Sequence, residues 1–288
     1  MGSATMPAPG RRLPVWLVVT RSYGFVWEER REFVLPIAVI ALLSLAYSAF
    51  VPEQHMPPGR LPSAELLLGF ALRFGMALLL ALTSMSFVVG VHRAVLLDEF
   101  RRGIASFHWD RNLLRYFGTS LALGVIGVLC FTAVGLVLLV ALRLAAGSGI
   151  TVGLGLVVAY LAAGVLLLRL VLALPAAAIG RQDRLTLSWR STRGHLLRLL
   201  AICLLTWLPF LVVGLLLFGI QAGTAIMAMR SGVPVSPATF RASLPAQVLW
   251  SVLGGISAPV IAVMLSLCYD VLVRGGGPRD QGATGVSG

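Results

Sequence analysis

The sequence predicts an all-α membrane protein with six transmembrane helices. Of its 288 residues, 58% are hydrophobic and only 12% are charged, whereas a soluble domain carries roughly 25% charged residues. The apolar residues form long blocks without a charge, each long enough for the helix of about 20 residues that crosses a bilayer. Strands of a transmembrane barrel would instead alternate apolar and polar residues over about ten positions.

Six such blocks follow one another along the chain. We predict spans at about 33–51, 68–91, 117–142, 150–174, 199–224 and 248–272. This divides the chain into a cytoplasmic N-terminal segment (1–32), a transmembrane domain (33–273) and a disordered cytoplasmic tail (274–288).

The distribution of arginine predicts the orientation, since the chain contains no lysine. Seventeen arginines precede span one, lie between spans two and three or four and five, or follow span six. Only Arg60, Arg143, Arg230 and Arg241 fall on the opposite side. Loops rich in basic residues stay in the cytoplasm. Both termini are therefore predicted to be cytoplasmic.

The net charge of +12 has two interpretations. Arginines beside spans mark topology and contact anionic lipid head groups. Nucleic-acid binding would need a recognisable binding module beside the charges, and the sequence contains none. We therefore expect membrane lipids as partners and no nucleic acid.

Three charged segments that begin with tryptophan introduce spans one, three and five. Trp27, Trp109 and Trp189 are 82 and 80 positions apart, a spacing that favours three copies of one helical hairpin. The alternative is a shared topology without a repeat, because any membrane protein with a cytoplasmic N-terminus places Trp and Arg at these boundaries.

The segments before spans three and five are amphipathic. A helix of this kind lies at the head-group level with Trp as an anchor and Arg reaching phosphates. Gly194 allows a bend before span five. The residues expected to contact lipid head groups are Trp109, Arg111, Arg115, Trp189, Arg193 and Arg198.

Arg73 and Arg169 lie inside predicted spans. Ionisable residues in that environment are candidates for a functional role. Both are close enough to a span end for their side chains to reach the head groups instead. A ligand site would require them to face the interior of the bundle.

The histidines are the candidates for catalysis. His195 has no carboxylate near it in the sequence, whereas a catalytic histidine needs an orienting acid or a nucleophile. His92 and Glu99 would share a helix face two turns apart, but a metal site needs three or four ligands. We expect Asp98 and Glu99 to pair with Arg101 and Arg102 instead. The sequence predicts no catalytic residue, no metal site, no cofactor and no enzyme.

Two stretches carry a resemblance. "HRAVLLDE" (92–99) resembles a Trp-His-Arg, Leu-Leu, Gly-Glu signature that follows the second span in a family of uncharacterised bacterial inner-membrane proteins, with Val91 and Asp98 in place of Trp and Gly. "LTLSWRSTRGHLLRLL" (185–200) is similar to a stretch before a late span in the same group. That group includes membrane domains attached to some glycerophosphodiester phosphodiesterases, whose enzymatic domain is absent. The resemblance implies a bacterial inner membrane, and no activity carries over from it.

These observations favour a non-enzymatic inner-membrane protein with an accessory, envelope-related or lipid-interacting role. A small transporter or channel component is the alternative, favoured by the hairpins and by the two arginines within spans. An intramembrane enzyme acting on lipid would need His92, Glu99 and His195 to converge.

Overall fold

The protein is a bundle of long helices. The computed structural model describes residues 13–50, 64–99, 106–145, 149–230 and 244–275. Of these described residues, 90% are helical and none lies in a strand. The predicted all-α fold is confirmed.

Nine α-helices lie in the described part of the chain. They are α1 (Val15–Glu28), α2 (Arg30–Phe50), α3 (Ala64–Leu97), α4 (Arg111–Ala145), α5 (Gly149–Leu170), α6 (Ala173–Ala178), α7 (Arg184–Ser191), α8 (Leu196–Arg230) and α9 (Leu244–Tyr269), and a π-helical turn (Asp270–Arg274) continues α9. Six helical segments are long and apolar enough to cross a membrane, one each in α2, α3, α4, α8 and α9 and one that runs through the end of α5 into α6. The chain is therefore a multi-pass membrane protein.

The sequence predicts an interfacial amphipathic helix before span three, but in the structure this segment is not a separate helix. Asp110 caps the N-terminus of α4, because its Oδ1 accepts hydrogen bonds from the backbone N–H groups of Asn112 (3.0 Å) and Leu113 (3.1 Å). Residues 111–117 are then the first turns of a membrane helix. Before span five the prediction is closer, since α7 is a separate helix and Gly194, with φ +84°, forms the bend before α8.

Helix α9 is the centre of the bundle and packs against α1, α2, α3, α6 and α8. Helices α4 and α5 form a hairpin, which joins the rest through α3, α6, α7 and α8. Two serine contacts connect α9 to α2: Ser251 donates to Ser44 (3.1 Å), and Ser48 donates to Gln247 (3.0 Å). Small polar contacts of this kind let membrane helices approach closely.

Buried side chains concentrate at the end of the bundle where α2, α4 and α8 begin. Leu172, Leu199, Ile202 and Met264 are among the most deeply buried side chains of a hydrophobic cluster there. The opposite halves of the helices expose large apolar side chains, among them Leu67, Phe74, Val137, Leu216 and Phe218. Exposed apolar surface of this extent fits contact with lipid tails, which are as apolar as the side chains.

Helix α1 lies within residues 1–32, which the sequence predicts only as a cytoplasmic N-terminal segment. Tyr23 fastens it to α8, because its hydroxyl donates to the carbonyl of Thr206 (2.7 Å) and its ring stacks on Phe210 with centroids 6.1 Å apart. Partial burial raises the pKa of the Tyr23 hydroxyl, so this donor stays protonated. The N-terminal segment is thus part of the packed structure.

Candidate functional site

One end of the bundle carries most of the arginines. The alternation of the spans brings together the ends of α1, α3 and α9, the starts of α2, α4 and α8, and the short helices α6 and α7. We call this end the basic face; its described arginines are Arg21, Arg30, Arg31, Arg93, Arg111, Arg115, Arg181, Arg184, Arg190, Arg193, Arg198 and Arg274. The other five predicted for this side, Arg11, Arg12, Arg101, Arg102 and Arg279, lie outside the described residues.

Several of these arginine side chains are accessible to an external anion. Arg111, Arg190 and Arg193 are exposed, and none of the three has an ion-pair partner among the described residues. Trp109, just before α4, is 60% exposed. Arg198 is half-buried in the first turn of α8. The exposed members of the predicted head-group set therefore lie on the basic face.

Arg115 is different, because the fold uses its side chain. Its Nη1 donates to the carbonyl of Gly180 (3.3 Å) and to Oδ1 of Asn112 (3.4 Å). Gly180 has φ +81°, a backbone conformation that favours glycine. Arg115 thus ties α4 to the turn after α6, and its guanidinium is only partly available to lipid.

Arg169 at the end of α5 contacts α7 through both its side chain and its backbone. This contact, called the α5–α7 contact below, consists of Arg169, Ser188, Trp189 and Thr192. The guanidinium of Arg169 lies over the ring of Trp189, 4.7 Å from its centroid, which is a cation–π geometry. The backbone carbonyl of Arg169 accepts from the hydroxyls of Ser188 (2.7 Å) and Thr192 (3.4 Å). Both hydroxyl residues are fully buried.

A break between α5 and α6 explains why this carbonyl needs a partner. Residues 171 and 172 form a turn between the two helices, so α5 ends at Leu170. Carbonyls at the end of a helix have no partner within that helix. Ser188 and Thr192 supply one from a neighbouring helix, so the stretch 188–192 fastens α7 to the broken span.

Arg73 lies far from Arg169, in the outer half of α3. It is 24 residues before Leu97, the last residue of α3, which corresponds to about 36 Å along the helix. One of its guanidinium nitrogens is buried and has no hydrogen-bond partner among the described residues. The structure does not bring the two arginines together into one site.

His92 and Arg93, in the stretch 92–99, form hydrogen bonds within the protein. His92 is completely buried, and its Nδ1 is 2.7 Å from the hydroxyl of Ser266. That hydroxyl donates to the carbonyl of Ala262 (2.9 Å), so the Nδ1 of His92 is assigned as the protonated nitrogen. Arg93 binds Glu99 through Nε (3.0 Å) and Nη2 (2.5 Å).

These contacts bear on the predicted catalytic and metal candidates. Glu99 pairs with Arg93, while Arg101 and Arg102, its expected partners, lie outside the described residues. His92 lies in the core, and His195 lies in the turn before α8. No group of three His, Cys, Asp or Glu side chains that could hold a metal occurs in the part of the chain that the structure describes.

Sequence reasoning missed a cavity of about 650 Å³ behind α1, called the α1 cavity below. It lies between α1, the last turn of α3 and the end of α9. Neither Arg73 nor Arg169 lines it. The periodic apolar positions Val15, Val18 and Val19 could have indicated α1, but only the tertiary structure reveals the cavity behind it.

Comparisons with protein families, curated proteins and solved structures gave no match. The resemblance carried by 92–99 and 185–200 stays a prediction. The geometry of the basic face and of the α1 cavity is therefore the basis for inferring a function.

Proposed function

We propose that this chain is a non-enzymatic protein of the bacterial inner membrane whose basic face binds anionic lipid head groups on the cytoplasmic side. The observation that carries the proposal is the group of exposed arginines, Arg111, Arg190 and Arg193, which have no ion-pair partner among the described residues. Guanidinium groups bind phosphate through paired N–H donors. Exposed Trp109, two residues before Arg111, is the kind of residue that anchors a membrane interface.

The proposal does not extend to transport. A transporter needs a water-accessible cavity that reaches a residue inside the membrane. The α1 cavity lies at the basic face and is lined by neither of the arginines within spans. Arg169 contacts Trp189 at the same face, which fits a side chain that reaches the interface.

Substitution of Arg111, Arg190 and Arg193 together by glutamine should lower the preference for anionic lipid. Each basic residue near an anionic surface contributes about 1 kcal/mol. We therefore expect the preference for anionic lipid to fall roughly fivefold or more. The measurement is the fraction of motionally restricted spin-labelled phosphatidylglycerol relative to phosphatidylcholine in reconstituted vesicles. The wild-type preference should also fall as salt rises.

The matched control removes three arginines predicted for the opposite side, Arg60, Arg230 and Arg241, also by glutamine. This variant should keep the wild-type preference at low salt. Equal losses in both variants would show a dependence on net charge alone and would contradict a site on the basic face.

The orientation has a separate test. A green fluorescent protein fused to the C-terminus should be fluorescent in bacterial cells, and alkaline phosphatase fused at the same point should be inactive, because that enzyme needs the oxidising periplasm to form its disulfides. An active phosphatase fusion would place the basic face outside the cytoplasm and would overturn this part of the proposal.

A further inference from the structure

The α1 cavity has an apolar floor. Three helices each present one face to it: α1 through residues spaced three or four apart, α3 through its last turn, and α9 through its last two turns. The floor is formed by Leu17, Val18, Phe25, Val95, Val263 and Leu267. Its volume of about 650 Å³ falls in the range of roughly 300–1,000 Å³ that is usual for small-ligand sites.

The rim of the same cavity carries charges of both signs. Arg21, Glu28, Asp98, Asp270 and Arg274 line it. Two cations thus face three carboxylates, whereas arginine dominates the rest of the basic face.

Both rim arginines also have contacts within the protein. Arg274 donates to the carbonyl of Leu96 (2.6 Å) and lies 3.9 Å from Asp270. Arg21 and Asp98 have interactions of their own. An arginine has five N–H donors, so a partner within the protein leaves donors for a ligand.

The position of α1 places this cavity at the level of the lipid head groups. Trp16 and Trp27, near the two ends of α1, are 71% and 70% exposed. Exposed tryptophans concentrate at membrane interfaces, where the indole ring lies among head groups. The charged rim and the apolar floor therefore meet where a phospholipid changes from polar to apolar.

We infer that the α1 cavity binds one phospholipid with a zwitterionic head group that carries a phosphate and an ammonium. Arg21 and Arg274 provide N–H donors for the phosphate, and the carboxylates of Glu28, Asp98 and Asp270 accept from the ammonium. The surplus of carboxylates disfavours a purely anionic head group, because like charges repel in a partly desolvated site. The start of an acyl chain lies on the apolar floor.

This inference goes beyond the proposed function, because it concerns another site and another lipid class. Arg111, Arg190 and Arg193, which carry the proposed function, do not line the cavity. Either site can therefore fail its test without the other.

A glycine in the cavity wall offers a direct test. A Cβ at Gly24 would meet nothing within 4 Å. A leucine side chain at this position therefore extends into the cavity without forcing neighbouring atoms of the protein to move. The full-length protein, purified in mild detergent, is mixed with phosphatidylethanolamine and phosphatidylglycerol, and bound lipid is counted by native mass spectrometry. We expect one phosphatidylethanolamine on the wild type and roughly tenfold weaker binding by Gly24→Leu, a change of about 1.4 kcal/mol.

The matched control is Gly118→Leu, at another helical glycine with open space around its Cβ. It should bind phosphatidylethanolamine as the wild type does. Undiminished binding by Gly24→Leu would overturn the inference, as would a loss of bound phosphatidylglycerol, rather than phosphatidylethanolamine, in Gly24→Leu. A change of oligomeric state in Gly24→Leu alone, without a change in bound lipid, would assign the cavity to a second copy of the chain and would also overturn it.

The charged rim has its own test. The combined Glu28→Gln and Asp98→Asn variant keeps the shape of both side chains, and asparagine tolerates the positive φ of 56° at residue 98. It should lose the preference for phosphatidylethanolamine over phosphatidylglycerol, whereas Glu29→Gln, next to the rim but outside the lining, should keep it. An unchanged preference in the double variant would show that the carboxylates do not recognise the ammonium.

Discussion

Replacement of Gly90 by alanine is expected to destabilise the bundle by about 1–3 kcal/mol, the usual cost of added volume in a packed interior. A Cβ at this position would overlap the backbone carbonyl oxygen of Ser106 and would lie 3.0 Å from Nδ1 of His108. A backbone carbonyl cannot rotate away as a flexible side chain can. The change should lower the apparent Tm of the purified protein, measured by intrinsic fluorescence during heating.

The contacts of His108 explain why the segment before α4 cannot move aside at low cost. Its Nδ1 donates to the carbonyl of Ser106 (3.0 Å), and its backbone N–H donates to the carbonyl of Ser86 in α3 (3.4 Å). The imidazole is almost fully buried. A shift of this segment would leave buried polar groups without partners.

Gly118→Ala is the matched control for Gly90→Ala. Both glycines lie in membrane helices, but a Cβ at Gly118 meets nothing within 4 Å. Alanine is the better helix former by about 1 kcal/mol, so the control should keep or raise the Tm. A Gly90→Ala protein that melts with the control would show that the segment before α4 does not pack on α3 at this point.

The six spans could be predicted because they depend on one local quantity, the length of a charge-free apolar block. The exact helix ends could not be predicted, because a helix continues beyond its apolar block when its charged residues find partners. Arg93 in α3 pairs with Glu99, and Arg115 in α4 donates to the carbonyl of Gly180. Helix α1 escaped prediction for a related reason. Its 14 residues are too few to cross a membrane, and it packs on α8 and α9, which come from the other end of the chain.

The candidate site was predictable only in part. The sequence predicts Trp109, Arg111, Trp189 and Arg193 as exposed boundary residues, since these follow from the spans, but it did not single out Arg190. It did not assign a structural role to Arg115, whose acceptor Gly180 is 65 residues away. It also did not predict the α1 cavity, because α1, α3 and α9 come from both ends of the chain and meet only in the folded bundle.

The loss of both hydroxyls in the α5–α7 contact is the second large expected effect. In the combined Ser188→Ala and Thr192→Val variant the carbonyl of Arg169 loses both of its side-chain donors. A buried polar group without a partner costs about 1–3 kcal/mol. The apparent Tm should fall, and α7 should become more accessible to protease, since the contact fastens it to the broken fourth span.

The single variants separate this mechanism from a general loss of packing. In the wild type the Thr192 hydroxyl donates chiefly to the carbonyl of Ser188 (2.9 Å), with Arg169 at 3.4 Å. In Ser188→Ala it can turn to Arg169 and replace the lost donor. Each single change should therefore be mild, and the double change should cost more than their sum.

Ser191→Ala is the control on the same helix. The Ser191 hydroxyl donates to the carbonyl of Ser188 (3.2 Å) and is only part-buried, so its loss should leave the Tm and the protease resistance near wild type. Additive effects of Ser188→Ala and Thr192→Val would show that the two hydroxyls act independently. A cost beyond additivity would show that they share one acceptor, the carbonyl of Arg169. That carbonyl lies where a membrane helix is broken before Pro175, and inside a membrane such a carbonyl must be satisfied by another helix.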